Sequence, residues 1–261
     1  MVYPLPLAAL KALVLAFCAL LAGTGFPGTA QATQRMLVAF VPDTNWPPYL
    51  LGNTEDQPIG LLPDLLREVL EPLGYGVRFL HLPNKRGWVM LDSGEVDLHF
   101  KAREWVPNAD DYLWSDPVFD SENVLLSSRK RPLDFDTLDD LKGLRIAVIS
   151  SFVYPRLNEL FTSGEAVRIP VDSPFSMLNL VDMGRVDAAV VNRSETQWLF
   201  QNRPKLHGER FVLTEKALDV SPYRFVFTKR KNWAPLMERI NEQLATMKAD
   251  GRLDEILQRY R

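Results

Sequence analysis

The phrase "LDSGEVDLH" at residues 91–99 returns as "VDMGRVDAA" at residues 181–189. Both copies read apolar-Asp-x-Gly-x-Val-Asp and lead into a short apolar run. Glycine without a Cβ accepts the positive φ that ends a helix, so each copy predicts a helix stopping at Gly94 or Gly184. A Val-Asp step then drops the chain into a buried strand. The surroundings of the two copies match as well. Met36–Val41, a helix opened by Gly60 and Pro63, Val77–Leu82, a short helix over Arg86–Leu91 and Val96–Phe100 give the order β-α-β-α-β. Leu144–Ile149, a helix over Val153–Phe161, Val167–Val171, a helix over Pro174–Met183 behind Ser173, and Val186–Val191 repeat it. Such an order predicts parallel strands with crossover helices, once in each half of the chain. Tyr223–Thr228 adds a strand, and an apolar stripe through Leu236, Ile240, Leu244 and Met247 predicts a helical tail broken at Gly251.

The first 32 residues follow different rules. They carry Lys11 as their one charge, the apolar run Ala12–Ala22 and the small-residue ending Ala30-Gln31-Ala32. That is the layout of a secretory signal peptide, and the run is shorter than the roughly 20 residues a membrane span needs. Its removal would take net charge from −3 to −4, since Lys11 goes and no acid does. It would also take away the one cysteine, Cys18, so a mature chain would rely on packed cores without disulfides. The expected location is the periplasm. No basic stripe of the nucleic-acid-binding kind is present. The clusters Arg129-Lys130-Arg131 and Lys229-Arg230-Lys231 read as solvated turns at strand ends.

Motifs for phosphate loops, dinucleotide binding, zinc proteases and serine hydrolases are missing. His81, His99 and His207 are too scattered for a local metal cluster, and His99 reads as a structural histidine within a strand. Neither a cofactor nor a metal is expected, and nothing makes a positive case for an enzyme.

With its segments in order, the chain resembles the bacterial extracellular solute-binding proteins of the polar amino acid type, family 3. The carrying stretches are "LVAFVPDTNWPPYL", "GLLPDLLREVLEPLG", "SGEVDLHF", "WSDPVF", "DDLKGLRIAVISS", "MGRVDAAVVN" and "INEQLATMKADGRLDEILQRY", and the resemblance extends over essentially all of residues 36–261. The resemblance implies an α/β, two-lobed type II periplasmic binding fold with two crossover strands and a ligand cleft between lobes. The expected division is a signal peptide over 1–32, a discontinuous first lobe over 33–125 and 220–261, and an inserted second lobe over 126–219. The crossings fall near Val124–Ser128 and Ala217–Ser221. The implied function is capture of a small polar solute by a monomer that serves an inner-membrane ABC permease. A dehydratase-like enzyme on the same scaffold, with Asp43 or Glu104 as acid, and a detached sensory partner are the alternatives.

The resemblance also implies where a ligand would sit, and there this chain departs from the family. Asp43 and Trp46 occupy the acid and aromatic-wall positions after the first strand, with Tyr49 nearby. The Arg that clamps an α-carboxylate is replaced by Asn108, and the Asp that holds an ammonium by Asn192. Both ionic halves of an amino-acid clamp are therefore missing from their usual places. Lys101, Arg103 and Glu104 stand where the family has a small turn, and Arg86 lies on a loop of the same cleft. Arg86 or Arg103 could hold a carboxylate bidentately; alternatively Lys101, Arg103 and Glu104 form a salt-bridge lattice. Ser150 and Ser151 are placed at a helix N-terminus of the opposing lobe, ready to receive an anion.

Overall fold

The computed structural model describes residues 35–43, 46–52, 58–150 and 152–260; the expected signal peptide and Ser151 lie outside them. In the first half, β1 (Arg35–Pro42) leads to α1 (Leu61–Leu70), β2 (Tyr75–Leu82), α2 (Asn84–Ser93) and β3 (Leu98–Ala102). Both β2 and β3 pair with β1 in parallel. Short β4 (Tyr112–Trp114) and long β5 (Phe119–Ser128) follow. In the second half come β6 (Arg145–Ile149), α3 (Asn158–Thr162), β7 (Val167–Val171), α4 (Pro174–Asp182) and β8 (Ala188–Asn192). Both β7 and β8 pair with β6 in parallel. Then follow α5 (Arg193–Asn202), β9 (Phe211–Leu213), β10 (Asp219–Thr228), α6 (Ala234–Ala249) and α7 (Arg252–Gln258). Among the described residues no helix is long and apolar enough to cross a membrane.

The strand order β2-β1-β3-β10-β5-β8-β6-β7 makes the internal repeat visible. Each half is a parallel triplet with its first strand in the middle, flanked by one long antiparallel strand. Each long strand also carries one short partner, β4 on β10 and β9 on β5. The two long strands pair with each other over Asp219–Tyr223 and Phe119–Asn123, and there the halves join. Beyond that point β5 pairs only with β8 and β9. Apolar packing divides along the same line. Two buried clusters draw on residues between Leu37 and Phe119 together with Tyr223–Ile256, and two others on residues between Val124 and Leu218.

The doubled phrase is the corner piece of each half. Gly94 and Gly184 have φ of 82° and 65°, and the chain turns there as expected. The closing Asp then does the same thing twice. The Val38 amide donates to Asp97 Oδ2 at 2.8 Å, and the Arg145 amide to Asp187 Oδ2 at 2.9 Å. In each case the Asp amide returns a hydrogen bond to the carbonyl of the same residue. Each carboxylate thus pins the central strand of its triplet to the helix-to-strand corner.

The two basic clusters are exposed turns at strand ends, as expected, and they also complete this arrangement. Lys231 donates to Asp97 Oδ1 at 2.6 Å, and Arg131 lies 3.8 Å from Asp187 Oδ1, with Arg145 at 2.9 Å. The Arg145 guanidinium holds the Asp187 carboxyl below the ordinary carboxylate range. Arg129 and Arg230 donate to the Glu209 and Asp92 carbonyls at 2.7 and 2.8 Å. Each cluster follows one of the long joining strands, so the repeat extends to the charges. Asp97 is 3% exposed, whereas Asp187 keeps 25% of its side chain in solvent. Asp97→Ala is therefore expected to cost about 2 kcal/mol by stranding a buried amide and a lysine, and Asp187→Ala about half as much. Urea unfolding of the two variants checks the order.

Two further departures have local causes. The helix expected over Val153–Phe161 arrives as a 3₁₀ turn at Pro155–Leu157 followed by the five-residue α3. Pro155 keeps Tyr154 out of the helical region, with φ −124° and ψ 81°, so the helix starts late. Helix α5 and strands β4 and β9 had no signal in the sequence reading, α5 because its mixed polar run shows little periodicity.

Candidate ligand-binding site

In parallel α/β sheets, ligands lie beyond the carboxyl ends of the strands. Those ends carry almost every expected site residue: Asp43, Trp46 and Tyr49 after β1, Arg86 after β2, Lys101 and Arg103 at β3, Ser150 after β6 and Asn192 closing β8. Their environments differ sharply, however.

The loop after β1 is held on three sides. Trp46 and Leu50 exchange backbone hydrogen bonds at 3.1 and 2.8 Å, and the Leu61 and Leu62 amides of α1 donate to the Pro48 and Tyr49 carbonyls, each at 3.1 Å. A cis bond joins Pro47 to Pro48. Tyr49 is 1% exposed, its ring 5.9 Å from Phe119 and 6.2 Å from Tyr223. It therefore offers the cleft a hydroxyl and not a stacking face. Trp46 is only half-buried and lies 4.4 Å from Tyr49. Asp43 is exposed at the end of β1.

Asn192 is the meeting point of the lobes. Its Oδ1 accepts the Tyr49 hydroxyl at 3.1 Å and the Glu195 amide at 3.0 Å, and its Nδ2 donates to Ser121 Oγ at 2.9 Å. One side chain thus caps α5, touches β5 and reaches across to the β1 loop. An amide both donates and accepts, which this three-way junction uses and a carboxylate would not supply. Asn192 stands here as a tie between lobes.

Three residues on, in the first turn of α5, stands Glu195, half-buried, which the sequence reading missed. Burial pushes its carboxyl up to about 7, the nearby Trp46 side chain acting weakly the other way. Buried Tyr49 and Tyr223 face it, and both hydroxyls are held above the ordinary tyrosine value, chiefly by burial. Position in the first turn of a helix behind an Asn cap was the signal that could have found it.

On the first lobe, Lys101 is half-buried, with Nζ 5.5 Å from the Trp105 ring centre, and burial lowers its pKa. Trp105 in turn packs on Tyr223 at 5.5 Å. Among the described residues no carboxylate pairs with Lys101. The expected lattice with Arg103 and Glu104 does not form. Arg103 pairs with Asp110 outside the cleft, both exposed, and Glu104 is exposed. Arg86 is exposed near the start of α2 and makes no ion pair among the described residues.

Asn108 is not merely uncharged; it has left the site. Its amide donates to Asp111 Oδ2 at 3.2 Å, next to Tyr112, which pairs in register with Thr228. The Thr228 amide bonds the Asp97 carbonyl just before β3, so Asn108 lies at the amino ends of the strands, against a hollow of about 530 Å³. Ser150 also differs from expectation. It sits in a turn, five residues before the nearest 3₁₀ helix, and its hydroxyl donates to Asp172 Oδ1 at 2.7 Å. No helix N-terminus backs it, because Pro155 delays the helix. His99 is buried and neutral, pushed down to about 3 by burial and the Lys101 charge, and its Nδ1 bonds the Phe40 carbonyl at 3.0 Å. Among the described residues no cluster of His, Cys, Asp and Glu could hold a metal ion.

Solved structures share this architecture. A histidine kinase sensor domain with similarity to periplasmic binding proteins superposes with a TM-score of 0.67 at 22% identity, covering 87% of this chain and 96% of that one. The ancestral amino acid-binding protein AncCDT-1, a precursor of cyclohexadienyl dehydratase, gives 0.64 at 19%, covering 86% and 95%. The amino acid ABC transporter substrate-binding protein AbpA of Streptococcus pneumoniae, bound to L-arginine, gives 0.63 at 16%, covering 87% and 94%. At such identities the likeness carries the fold alone, the two-lobed type II periplasmic binding fold. No curated protein sequence matches the chain. Residues 38–261 do match the model for bacterial extracellular solute-binding proteins, family 3, and the chain belongs to that family.

Proposed function

We propose that the chain is a periplasmic binding protein whose lobes close on a small polar, carboxylate-bearing solute. A separate inner-membrane ABC importer then takes the solute from the closed monomer. On this reading residues 1–32 are removed on export, the first lobe spans 33–125 and 220–261, and the second spans 126–219. The split of the buried clusters at the joining strands supports that partition. The observation that supports the function most is that strand ends of both halves meet, with the Tyr49 hydroxyl donating to Asn192 Oδ1 and Trp46 packed on Tyr49. Lys101 is the favoured carboxylate anchor, because Arg103 is engaged by Asp110 and Arg86 is exposed. Lacking a carboxylate of its own, Lys101 would find one in the guest. Asp43, Trp46 and Asn192 border the same space.

A thermal-shift screen of amino acids, organic acids, amines and short peptides tests this. A solute at a hundred times its dissociation constant stabilises by about 2.7 kcal/mol. Loss of that shift in Lys101→Met, with unfolding otherwise unchanged, is the expected result. The dehydratase-like alternative gains nothing from its two candidate acids, since Asp43 and Glu104 are both exposed.

A further inference from the structure

We propose that the Tyr49 hydroxyl latches the two lobes of the empty protein, closing a junction that the second lobe has already braced. This concerns the protein without a guest and does not depend on which solute it takes. Where β5 and β10 join the lobes, β5 presents three consecutive polar side chains, and each is engaged. Ser121 Oγ accepts from Asn192 Nδ2 at 2.9 Å, and Glu122 Oε2 from Arg193 Nε at 2.6 Å. Asn123 Nδ2 donates to Asp219 Oδ1 of β10 at 2.9 Å. Successive strand residues face opposite sides, so this two-stranded ribbon is held on both. Asn192 caps α5 and Arg193 opens it, and Arg193 also donates to the Thr214 and Glu215 carbonyls at 3.2 and 2.6 Å. Pairing of Asn192 with Asn123 in the sheet fixes the helix start beside the ribbon. At this point the second lobe and the ribbon are one piece.

The β1 loop of the first lobe joins that piece through one side chain. Tyr49 donates its hydroxyl to Asn192 Oδ1 at 3.1 Å, across 143 positions of sequence. Its ring cannot swing away, being 1% exposed and stacked on Phe119 and Tyr223 at interplanar angles of 18° and 11°. The loop backbone is tied to α1 as well. Turning the lobes about the ribbon therefore breaks the Tyr49–Asn192 bond and strands a buried hydroxyl until water reaches it. Because an unpaired buried donor is costly, small openings are disfavoured and the lobes are either latched or well apart. A guest that needs them apart has to wait for that step, so the latch governs entry rather than recognition.

Spin-label distance measurement on the full chain without solute tests this. Cys18→Ser removes the one native cysteine, and labels on Glu68→Cys of α1 and Glu159→Cys of α3 occupy exposed positions, one in each lobe. The expected result in this background is one narrow distance. Tyr49→Phe keeps the ring and removes the hydroxyl, and should raise the population at a second, displaced distance about 5- to 10-fold. Asn192→Ala should raise the same distance at least as much, and adding Tyr49→Phe to it should change nothing further. Tyr154→Phe is the control, since that hydroxyl accepts the Ile149 amide at 3.1 Å within the second lobe, and its loss should leave the distance alone. An unaltered distance in Tyr49→Phe, several distances already present in the background, or an equal response to Tyr154→Phe would overturn the latch.

Discussion

Gly60→Ala is expected to lose about 3–5 kcal/mol of stability, far more than a methyl group usually costs. Gly60 has φ 135° and ψ 174°, a region open to glycine alone among ordinary residues. A Cβ there would lie 2.7 Å from the Tyr49 carbonyl oxygen and 2.9 Å from the Leu50 Cα. Both obstacles are backbone, so no side chain can swing aside. Relief requires moving the segment that α1 holds through its Leu61 and Leu62 amides. That segment carries Trp46 and the Tyr49 hydroxyl, so whatever folds should also bind solute more weakly. Urea denaturation followed by calorimetry on the folded fraction measures both effects. As a control, Gly143→Ala shares a positive φ of 78° but meets nothing within 4 Å. It should lose only the conformational part, about 1–2 kcal/mol.

Glu195 should make the empty protein less stable as pH rises from about 4.5 to about 7. In the unfolded chain this carboxyl ionises at its ordinary 4.5, whereas in the native state burial holds the proton to about 7. Between those values the native state binds more protons than the unfolded state, so stability falls with pH and levels off above the native pKa. The full effect is about 3 kcal/mol. Tyr49 and Tyr223 face the group but stay neutral throughout, since burial raises both above 10. Carboxylates such as Asp187 contribute with the opposite sign, so the wild-type curve alone does not isolate the effect. The difference between wild type and Glu195→Gln does. The variant should match the natural chain near pH 4.5 and exceed it by about 3 kcal/mol at pH 8 in the absence of solute. Chemical denaturation at a series of pH values provides the comparison.

The fold was legible because it is written twice. Gly94 and Gly184, the Val-Asp steps behind them and the apolar runs that follow fix two corners, and a triplet of parallel strands grows from each. The basic clusters are exposed turns at strand ends, as expected, but a charge run does not say which carboxylates it meets; only the return of β5 and β10 shows that Arg131 and Lys231 land on Asp187 and Asp97. Site chemistry was harder to read, for a related reason. Spacing brought Trp46, Tyr49, Lys101 and Asn192 to the strand ends, but exposure depends on distant partners. Asp110 turns Arg103 outward, Phe119 and Tyr223 bury the Tyr49 ring, and Pro155 removes the helix expected behind Ser150. Glu195 went unnoticed because its environment is supplied by Trp46, about 150 positions away in the chain.

Amide hydrogen exchange is the decisive comparison, made on the protein alone and with the solute released from gently purified material. If a guest is held between the lobes, the backbone around Trp46–Leu50 and the first turn of α5 at Ser194–Glu195 should slow together and at the same solute concentration. Protection confined to one of these segments, or found only in the Asn108–Asp111 hollow, would contradict capture between the lobes.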